Sequence, residues 1–392
     1  VSDKTKAEVP ENLSAEDFDN LLKKHGIKCP GCKSALGATR RFNMMIKVDI
    51  GATNAKECYL RPETCQSIFV DFPRLFKTIK RKLPLGVAQI GKSFRNEISP
   101  RNSLLRMREF TQAEAEIFFN PKNTEAKNYD DVKDYALNLK RIGEKKDFVK
   151  ITVDEAVKKK IISNKLFAYN LAIMQQFFVA CGLQADKLRL RELDEKERAF
   201  YAKESWDTEF SSSLGWVELV ANNYRTDYDM GSHGKISGKD VAVFEDNEKI
   251  IPHVWEISMG VDRTFYCMLE SAYREENGRV FLKLPPHLAP ASASIFPLVD
   301  KDGLAEKSAE IFKTLKKDFD VELEIKDSIG KRYARADEVG IPLCITVDHQ
   351  TLQDGTVTLR NRDDTKQIRV KAEKLQACIG KFLSGEKFEN LE

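Results

Sequence analysis

The segment SFRNEISPRNSLLRMREFTQAEAEIFF, residues 93–119, carries charges that do not fit a solvated helix. Pro100 breaks it in the middle, and arginines stand on both sides of the break, among them Arg95 and Arg106. A guanidinium group bonds two phosphate oxygens at once and keeps its charge at physiological pH. Two arginines on strands joined by a loop, with Arg263 at a predicted helix start, therefore indicate a clamp for a compact polyanion such as a triphosphate.

The alternating run that follows places acids beside this clamp. Glu114 and Glu116 share one face of a predicted strand, and Ala113 and Ala115 face the other way, because side chains alternate along a strand. Acids in this position suit a cationic second ligand, or Mg²⁺ that bridges the phosphates. An isolated arginine–carboxylate cluster is more often a surface ion-pair network, so the surrounding motifs must decide between the two.

Length and composition limit the class of protein that could hold such a site. The 392 residues predict two or three domains, and 42% hydrophobic residues are enough for packed cores. A net charge of +3 means that any basic surface is local. No apolar run approaches a membrane span of about 20 residues, and the N-terminal residues lack the apolar core of a signal peptide. Eight scattered cysteines favour reduced thiols. We therefore predict a soluble, cytoplasmic, multidomain protein.

The elements that must position these residues follow from periodicity. Residues 42–119 alternate with period two, which is typical of antiparallel strands, and the lysine-rich residues 120–187 have helical spacing. Strand patterns return from residue 188, and after LKLPPHLAP strands and helices alternate, with a hairpin expected around Asp363 and Asp364. The predicted fold class is α+β, an antiparallel sheet with a helical insertion followed by an α/β domain. The predicted boundaries are 1–119, 120–187, 188–286 and 287–392.

Several motifs resemble a known family. FRNE (residues 94–97) and RMREF (residues 106–110) resemble motif 2 of the class II aminoacyl-tRNA synthetases, and GVDR (residues 260–263) resembles their motif 3. YLRPET, REFTQAEAEIF, GWVELV, RTDYD and EISMGVDR resemble, more specifically, the glycyl-tRNA synthetases of the archaeal and eukaryotic kind. FRNE or GVDR alone is a weak signal. Their order and spacing carry the resemblance, which extends from about Cys29 through the C-terminal domain.

The resemblance implies an activity. It implies ATP-dependent ligation of glycine to the 3′ end of tRNA(Gly) through a glycyl-adenylate, with ATP and Mg²⁺ as cofactors and release of AMP and pyrophosphate. The alternative is a non-catalytic, synthetase-like subunit that binds tRNA or regulates. Retention of Arg95, Glu97, Arg106, Glu218 and Arg263 favours an active enzyme.

The same resemblance implies roles for individual residues at the ATP site. Arg95 would bind the α-phosphate and Arg263 the γ-phosphate, Glu97 would accept from the adenine amino group near Phe110, and Glu218 would hold Mg²⁺. Catalytic roles are implied for Arg95, Glu218 and Arg263. The residues implied for ATP binding are Arg95, Asn96, Glu97, Leu105, Arg106, Met107, Arg108, Glu109, Phe110, Glu218, Leu219, Gly260, Val261, Asp262 and Arg263.

Glycine offers only an ammonium and a carboxylate, so its binding site needs acids and a small volume. The resemblance assigns the ammonium to Glu63, Glu114 and Glu256, and it assigns Ser258 to the space of a Cα substituent; we call these four residues the glycine pocket. A steric wall rejects larger amino acids without an editing domain. Taken alone, Glu63 or Glu256 could equally be a structural salt-bridge acid. The residues implied for glycine binding are Glu63, Phe110, Thr111, Gln112, Ala113, Glu114, Glu256 and Ser258.

The sequence departs from the family pattern in three places. Cys65 and Ser67 stand where the resemblance leads us to expect alanine and glycine. ANNYR stands where the family usually has GIADR, and the two differ at residues 221–224. Motif 1, which usually builds the dimer interface, is not found, and the resemblance places it before Val1. The chain is then a fragment, or a second chain supplies that half, or segments are missing from within it. A homodimer is expected if that region is present.

Cys29-Pro-Gly-Cys32 has the spacing of half a zinc site. Cys58 and His25 are the nearest candidates to complete it. The alternative is a turn with free thiols, so a structural Zn²⁺ is only one of two interpretations of this motif.

Basic residues at two places could contact tRNA. The first group is Lys77, Lys80, Arg81 and Lys82. For any single lysine there, a solvated helix face is the favoured interpretation. The C-terminal domain resembles an anticodon-binding module, and arginines interleaved with an aromatic suit unstacked bases. The anticodon contacts are predicted among Tyr333, Arg335 and Arg360, with Lys331, Arg332 and Arg362 nearby. Alternatively, Tyr333 packs inside the domain.

Overall fold

A computed structural model describes residues 13–40, 42–79, 82–245 and 248–391 of the chain. The helices are α1 (Ala15–Lys24), α2 (Cys65–Ile79), α3 (Val153–Lys158), α4 (Lys165–Ala180), α5 (Tyr228–Ser237), α6 (Val261–Ala272), α7 (Leu304–Leu315), α8 (Ile329–Val339), α9 (His349–Asp354) and α10 (Leu375–Leu383). The strands are β1 (Lys47–Ile50), β2 (Lys56–Tyr59), β3 (Leu85–Phe94), β4 (Glu109–Phe119), β5 (Ala136–Lys140), β6 (Val149–Thr152), β7 (Leu188–Glu192), β8 (Glu204–Ser212), β9 (Gly215–Thr226), β10 (Val243–Glu245), β11 (Glu248–Ile250), β12 (His253–Gly260), β13 (Tyr273–Glu276), β14 (Arg279–Leu282), β15 (Ala293–Pro297), β16 (Val321–Leu323), β17 (Leu343–Val347), β18 (Thr356–Asn361) and β19 (Gln367–Lys371).

An eight-stranded sheet forms the centre of the first 272 residues, in the order β3-β4-β12-β9-β8-β7-β5-β6. Every neighbouring pair in it is antiparallel except β5 and β7. The C-terminal part forms a five-stranded sheet in the order β16-β15-β17-β18-β19, in which β15 lies parallel to β16 and β17. The predicted α+β class is confirmed. In the described part of the chain, no helix is both long and apolar enough to cross a membrane.

Helices cover both faces of the large sheet. On one face Phe167 of α4 stacks on Trp255 of β12 at 4.1 Å between ring centroids. On the other face Phe72 of α2 stacks on Phe118 of β4 at 3.6 Å. Because side chains alternate along β4, Glu114 and Glu116 lie on the face that α2 covers, and the structure buries them both. The polar groups of that face therefore need partners inside the protein.

The predicted helical insertion is only partly helical. α3 and α4 are helices, but the segment DDVKDYALNLK is not, because β5 passes through it and joins the large sheet. Leu137 and Leu139, two residues apart, are fully buried, and this period-two pattern is the one that a strand requires. The lysine spacing that suggested a helix belongs to the exposed side chains around it.

Helix α2 lies in a region predicted to contain only strands. It spans residues 65–79 in spite of Pro73, and it buries one face made of Ile68, Phe69, Phe72 and Phe76. These residues are one, three and four positions apart, and this helical spacing could have indicated the helix from the sequence. This helix matters for the site because it covers the acid-bearing face of the sheet.

The C-terminal domain agrees with the predicted alternation of strands and helices. The hairpin around Asp363 and Asp364 is confirmed as β18 and β19. The segment SIGKRYARADEVG forms α8, which ends at Gly340 with φ +87°. A Cβ at that glycine would lie 2.8 Å from Leu284 Cδ1 and 3.1 Å from Leu282 O. The end of α8 therefore packs closely against the segment that joins the two domains.

Candidate active site

A cleft with about 670 Å³ of empty space opens between the β3–β4 connection, β9, the end of β12 and the start of α6. All but Leu104 of its lining residues were predicted from the sequence. The lining consists of Arg95, Glu97, Leu104, Leu105, Arg106, Met107, Phe110, Thr111, Gln112, Glu218, Ser258, Gly260, Asp262 and Arg263.

Two arginines enter the cleft from different elements. Arg95 follows β3, lies over the Phe110 ring at 5.3 Å, and donates through Nε to the carbonyl of Pro62. Arg263 lies in the first turn of α6 and donates through Nε to Leu105 O at 3.2 Å and through Nη1 to Glu218 O at 3.1 Å. Each guanidinium has further N–H groups beyond these bonds, so both can hold an anion in the cleft.

Glu97 and Arg106 form an ion pair at the mouth of the cleft. Arg106 Nε donates to Glu97 Oε2 at 3.0 Å, and Arg108 Nε donates to the Glu97 carbonyl at 3.0 Å. The Arg106 side chain is largely exposed, and exposed pairs of this kind hold weakly. The pair can therefore open when a ligand offers either partner a better contact.

Five residues implied for ATP binding do not line the cleft: Asn96, Arg108, Glu109, Leu219 and Val261. The backbone N–H of Asn96 donates to Met44 O, and its side-chain amide donates to Asn43 O. Glu109 pairs on the surface with Lys92 at 3.5 Å, and Leu219 is part of the core. Their side chains are therefore occupied elsewhere in this structure.

Glu114 lies buried beneath the cleft with all its acceptor positions used. Oε2 accepts from the backbone N–H of Thr64 at 2.7 Å and from the Thr64 hydroxyl, and Oε1 accepts from Gln112 Nε2 at 2.9 Å and Ser258 Oγ at 3.0 Å. Thr64 also precedes the first residue of α2, where the helix dipole favours an anion. These four donors and the helix start provide the polar partners that this buried carboxyl group needs.

Glu256 lies beside it on β12 and depends on side chains from β9. Its Oε1 accepts from Arg225 Nη1 at 2.9 Å, and its Oε2 accepts from Asn223 Nδ2 at 2.8 Å. Arg225 also donates to both carboxylate oxygens of Asp229, at 2.6 and 2.7 Å, and lies over the Tyr201 ring. Burial raises the pKa of Glu256 to about 7 against the opposing effect of Arg225.

Asn223, Arg225 and Asp229 were not among the site residues predicted from the sequence. In the sequence, RTDYD stands out only through its resemblance to the family. Arg225 lies four residues before Asp229 across a strand end, and this spacing could have indicated the ion pair. Two other residues predicted to bind glycine are less deeply buried. Glu63 is partly exposed and accepts from Gln66 Nε2 at 2.8 Å, and Ala113 faces the side of the sheet opposite Glu114.

Glu218 is the residue best placed to hold a divalent cation in the cleft. Its side chain is 46% exposed and lies 3.7 Å from Arg263. Burial and then the charge of Glu218 raise the pKa of Asp207 to about 7. This concentration of carboxylates, with one of them open to the cleft, fits an oxygen-preferring ion such as Mg²⁺.

Cys29 and Cys32 form a tight turn but gain no third ligand. The backbone N–H of Lys33 donates to Cys29 O, and Cys32 Sγ lies 2.9 Å from Ser34 Oγ, whose hydrogen bond lowers the pKa of Cys32 to about 7. Within residues 13–40, 42–79, 82–245 and 248–391, neither His25 nor Cys58 completes a group of three ligands with them. All eight cysteines are free thiols. Zinc binding stays a prediction, with Cys29 and Cys32 as two of the ligands.

The structure corrects part of the predicted anticodon surface. Arg360 is only 6% exposed, and both of its terminal nitrogens donate to Asp337 at 2.9 Å. Arg332 and Arg362 are also buried and donate mainly to backbone carbonyls. The Tyr333 hydroxyl lies 2.6 Å from Thr346 Oγ1, and its ring packs on Phe296, as the alternative held. These side chains hold the domain together and do not face solvent as bases would require.

Arg335 remains accessible on α8, where it pairs with Glu324 and Asp327. In the other predicted tRNA contact, Lys77 is exposed on α2. Lys80 and Arg81 lie outside the described residues.

Comparison with known proteins identifies the class. Residues 46–272 match the family model described as the tRNA synthetase class II core domain (G, H, P, S and T), and residues 292–381 match an anticodon binding domain. The cleft and its arginines thus lie in the catalytic core of a class II aminoacyl-tRNA synthetase.

The relatives narrow this class to one family. The chain is 39% identical to the glycine–tRNA ligase of Pyrococcus horikoshii over 96% of its own length and 80% of that protein. It is 39% identical to the glycine–tRNA ligase of Pyrococcus furiosus, over 96% of this chain and 81% of the relative. For the Methanocaldococcus jannaschii enzyme of the same name the identity is 36%, over 93% and 79%. The chain belongs to the glycine–tRNA ligase family, as its motifs predicted.

Proposed function

We propose that this protein joins glycine to tRNA in the cleft between Arg95 and Arg263. The glycine carboxylate attacks the α-phosphorus of ATP and releases pyrophosphate, and the 3′-terminal ribose of tRNA then attacks the glycyl-adenylate and releases AMP. The observation that supports this most directly is a cleft lined by Arg95 and Arg263 together with Gln112 and Ser258, both of which donate to the buried carboxylate of Glu114. It provides one site for a polyanion and an adjacent one for a small ammonium.

The protein contributes position and charge to the first step. A carboxylate nucleophile needs no general base, so the barrier is lowered mainly by orientation and by stabilising the charge that develops on phosphorus. Arg95 would hold the α-phosphate and Arg263 the γ-phosphate. Glu97 would accept from the adenine amino group once its pair with Arg106 opens. Mg²⁺, for which Glu218 fits as a ligand, supplies further neutralisation of phosphate charge when bound.

The glycine pocket selects by size as well as charge. Ser258 accepts from Gln112 Nε2 at 2.8 Å and donates to Glu114 Oε1 at 3.0 Å, so its position is fixed from two sides. A fixed side chain at the place of a Cα substituent leaves no room for alanine. Glu63, Glu114 and Glu256 would supply negative charge around the ammonium, and Glu114 would act through its charge and not by a direct hydrogen bond, because its acceptor positions are filled.

We expect the purified protein to catalyse ATP–pyrophosphate exchange with glycine and not measurably with alanine or serine. Ser258→Gly should open the pocket and narrow the preference for glycine over alanine by about tenfold or more, since one methylene-sized change is worth about 10–200-fold. Ser294→Gly, which alters a buried strand serine in the C-terminal domain, is the matched control. If the protein shows no glycine-dependent exchange, the proposal fails, and the alternative of a tRNA-binding relative without ligase activity is supported.

We further propose that the C-terminal domain binds the anticodon through its exposed face, with Arg335 and Lys331 of α8 as contacts. We also propose that the protein forms a homodimer and is located in the cytoplasm. Lys331 and Arg335 lie on the same helix, four residues apart, and so project from one side of it.

A further inference from the structure

Four polar side chains form a row across the covered face of the large sheet. Ser205, Asn223, Glu256 and Glu116 are register partners on the adjacent strands β8, β9, β12 and β4. All four are buried. The row runs beneath the glycine pocket, of which Glu256 is a member.

The buried charges near this row are not balanced. Glu114, Glu116, Glu256 and Asp229 offer four carboxylates, and Arg225 is the one cation bonded to this group within the described ranges. Asp229 receives two bonds from Arg225, Glu114 has four donors, and Glu256 has Arg225 and Asn223. Neither oxygen of Glu116 has a hydrogen-bond partner. An ionised carboxylate without donors is the costliest group to bury, so any proton in the cluster belongs on Glu116.

Glu116 and Glu256 are close enough for the charge of one to affect the protonation of the other. The Cys65 thiol and one carboxylate oxygen from each of the two glutamates lie within 4.8 Å of one another. Two carboxyl groups at such a distance do not titrate independently. The groups that face them are Cys65 from α2, Glu114 on the same strand, Arg225 from β9, Asp229 from α5 and Tyr201 over Arg225.

We infer that Glu116 and Glu256 hold one proton between them, that Glu116 carries it, and that Asn223 is the positioning residue that keeps Glu256 ionised toward the glycine ammonium. This inference depends on the proposed glycine pocket. Asn223 donates to Glu256 and Glu116 has no such donor, so the amide favours charge on one carboxyl over the other. The pKa of Glu116 is accordingly raised well above its usual value, by burial and then by Glu256.

The consequence is a pH dependence of glycine binding that Asn223 sets. Because an ammonium needs the ionised form of Glu256, the KM for glycine should fall as the pH rises through about 7, where Glu256 loses its proton. The kcat at saturating glycine should change less. In Asn223→Ala the ionised form loses a donor, so the midpoint should move upward by about one pH unit. At pH 7 the KM for glycine should then rise about fivefold, and the increase should approach about tenfold at lower pH.

The control is Asn222→Ala. Asn222 is also a buried amide on β9, but it donates to Trp206 O at 2.9 Å and Thr208 Oγ1 at 3.1 Å, away from the carboxylates. Asn222→Ala should lower the Tm and should not change the pH at the midpoint of the KM profile for glycine. A midpoint that moves equally in both variants would mean a general packing effect and would overturn the role of Asn223.

Glu116→Gln tests the location of the proton, because glutamine has the shape of a protonated glutamate. We expect the KM for glycine to stay within about twofold of wild type. A tenfold increase would show that Glu116 acts as a charged ligand and would overturn the inference. Zinc in the purified protein that Cys65→Ala and Glu116→Gln both remove would also overturn it, since a cation would then occupy the cluster.

Glu256→Gln separates this inference from the proposed function. It should raise the KM for glycine at least about tenfold, as loss of a charged hydrogen bond does. If it has no effect, the glycine pocket is wrong and the inference fails with it. If Glu256→Gln acts as expected but Asn223→Ala shifts nothing, the pocket stands and only the inference fails.

Discussion

Replacing Arg263 with alanine is expected to lower glycine-dependent ATP–pyrophosphate exchange by about a thousandfold. The guanidinium lies in the cleft, and the loss of one fixed donor aimed at developing charge typically costs about 10²–10³ in rate. The effect should appear mainly in kcat if the phosphate contact tightens during reaction. Steady-state exchange with both substrates varied measures it.

Two further variants show whether the effect comes from phosphate binding or from a loosened cleft. Arg263 also donates to the carbonyls of Leu105 and Glu218, so its loss could move these segments. Arg263→Lys keeps the charge without the planar fork and should retain part of the activity. Arg274 lies just beyond the same helix and donates to Ser271 O and Tyr273 O, so Arg274→Ala should remain near wild type. Near-wild-type exchange in a folded Arg263→Ala protein would contradict the assignment.

The residues of the clamp could be predicted from the sequence because the signals are local. Arginines on both sides of a turn, the alternation in AEAEIF and the glycine before α6 each lie within a few residues. The partners of Glu256 could not be found this way. Asn223 and Arg225 reach it from a strand more than 30 residues away, and which strands lie side by side depends on the whole sheet.

The errors in the predicted elements have similar causes. β5 is short, and its alternation of Leu137 and Leu139 was outweighed by the surrounding lysines. The strand prediction for residues 42–119 rests on period-two alternation, and within this range the residues of α2 have helical spacing instead, with Phe72 packed on Phe118. In the C-terminal domain, arginines that alternate with an aromatic residue fit a nucleic-acid-binding surface, and they fit a buried ion pair equally well. Only the position of the buried Asp337 separates the two.

Arg360→Ala is therefore expected to act on stability and not on anticodon recognition. Asp337 would lose two bonds of 2.9 Å and keep the donor from Arg279, at 2.8 Å, so a buried carboxylate would be left partly uncompensated. Breaking a buried pair costs about 3–5 kcal/mol, which should appear as a lower Tm. Loss of tRNA charging in this variant should follow the fraction of protein unfolded and should be recovered at lower temperature.

Arg335→Ala should give the opposite result. Its side chain is exposed at the surface of α8 and pairs there with Glu324 and Asp327, so the Tm should hardly change. If the α8 face binds the anticodon, charging of tRNA should weaken while glycine-dependent exchange stays near wild type, because the cleft is left intact. Loss of a phosphate contact would weaken all tRNAs alike and flatten the salt dependence, and loss of a base contact would narrow the difference between tRNA(Gly) and other tRNAs. Undiminished charging by Arg335→Ala, or selective loss of charging by a fully stable Arg360→Ala, would contradict this division between surface and interior.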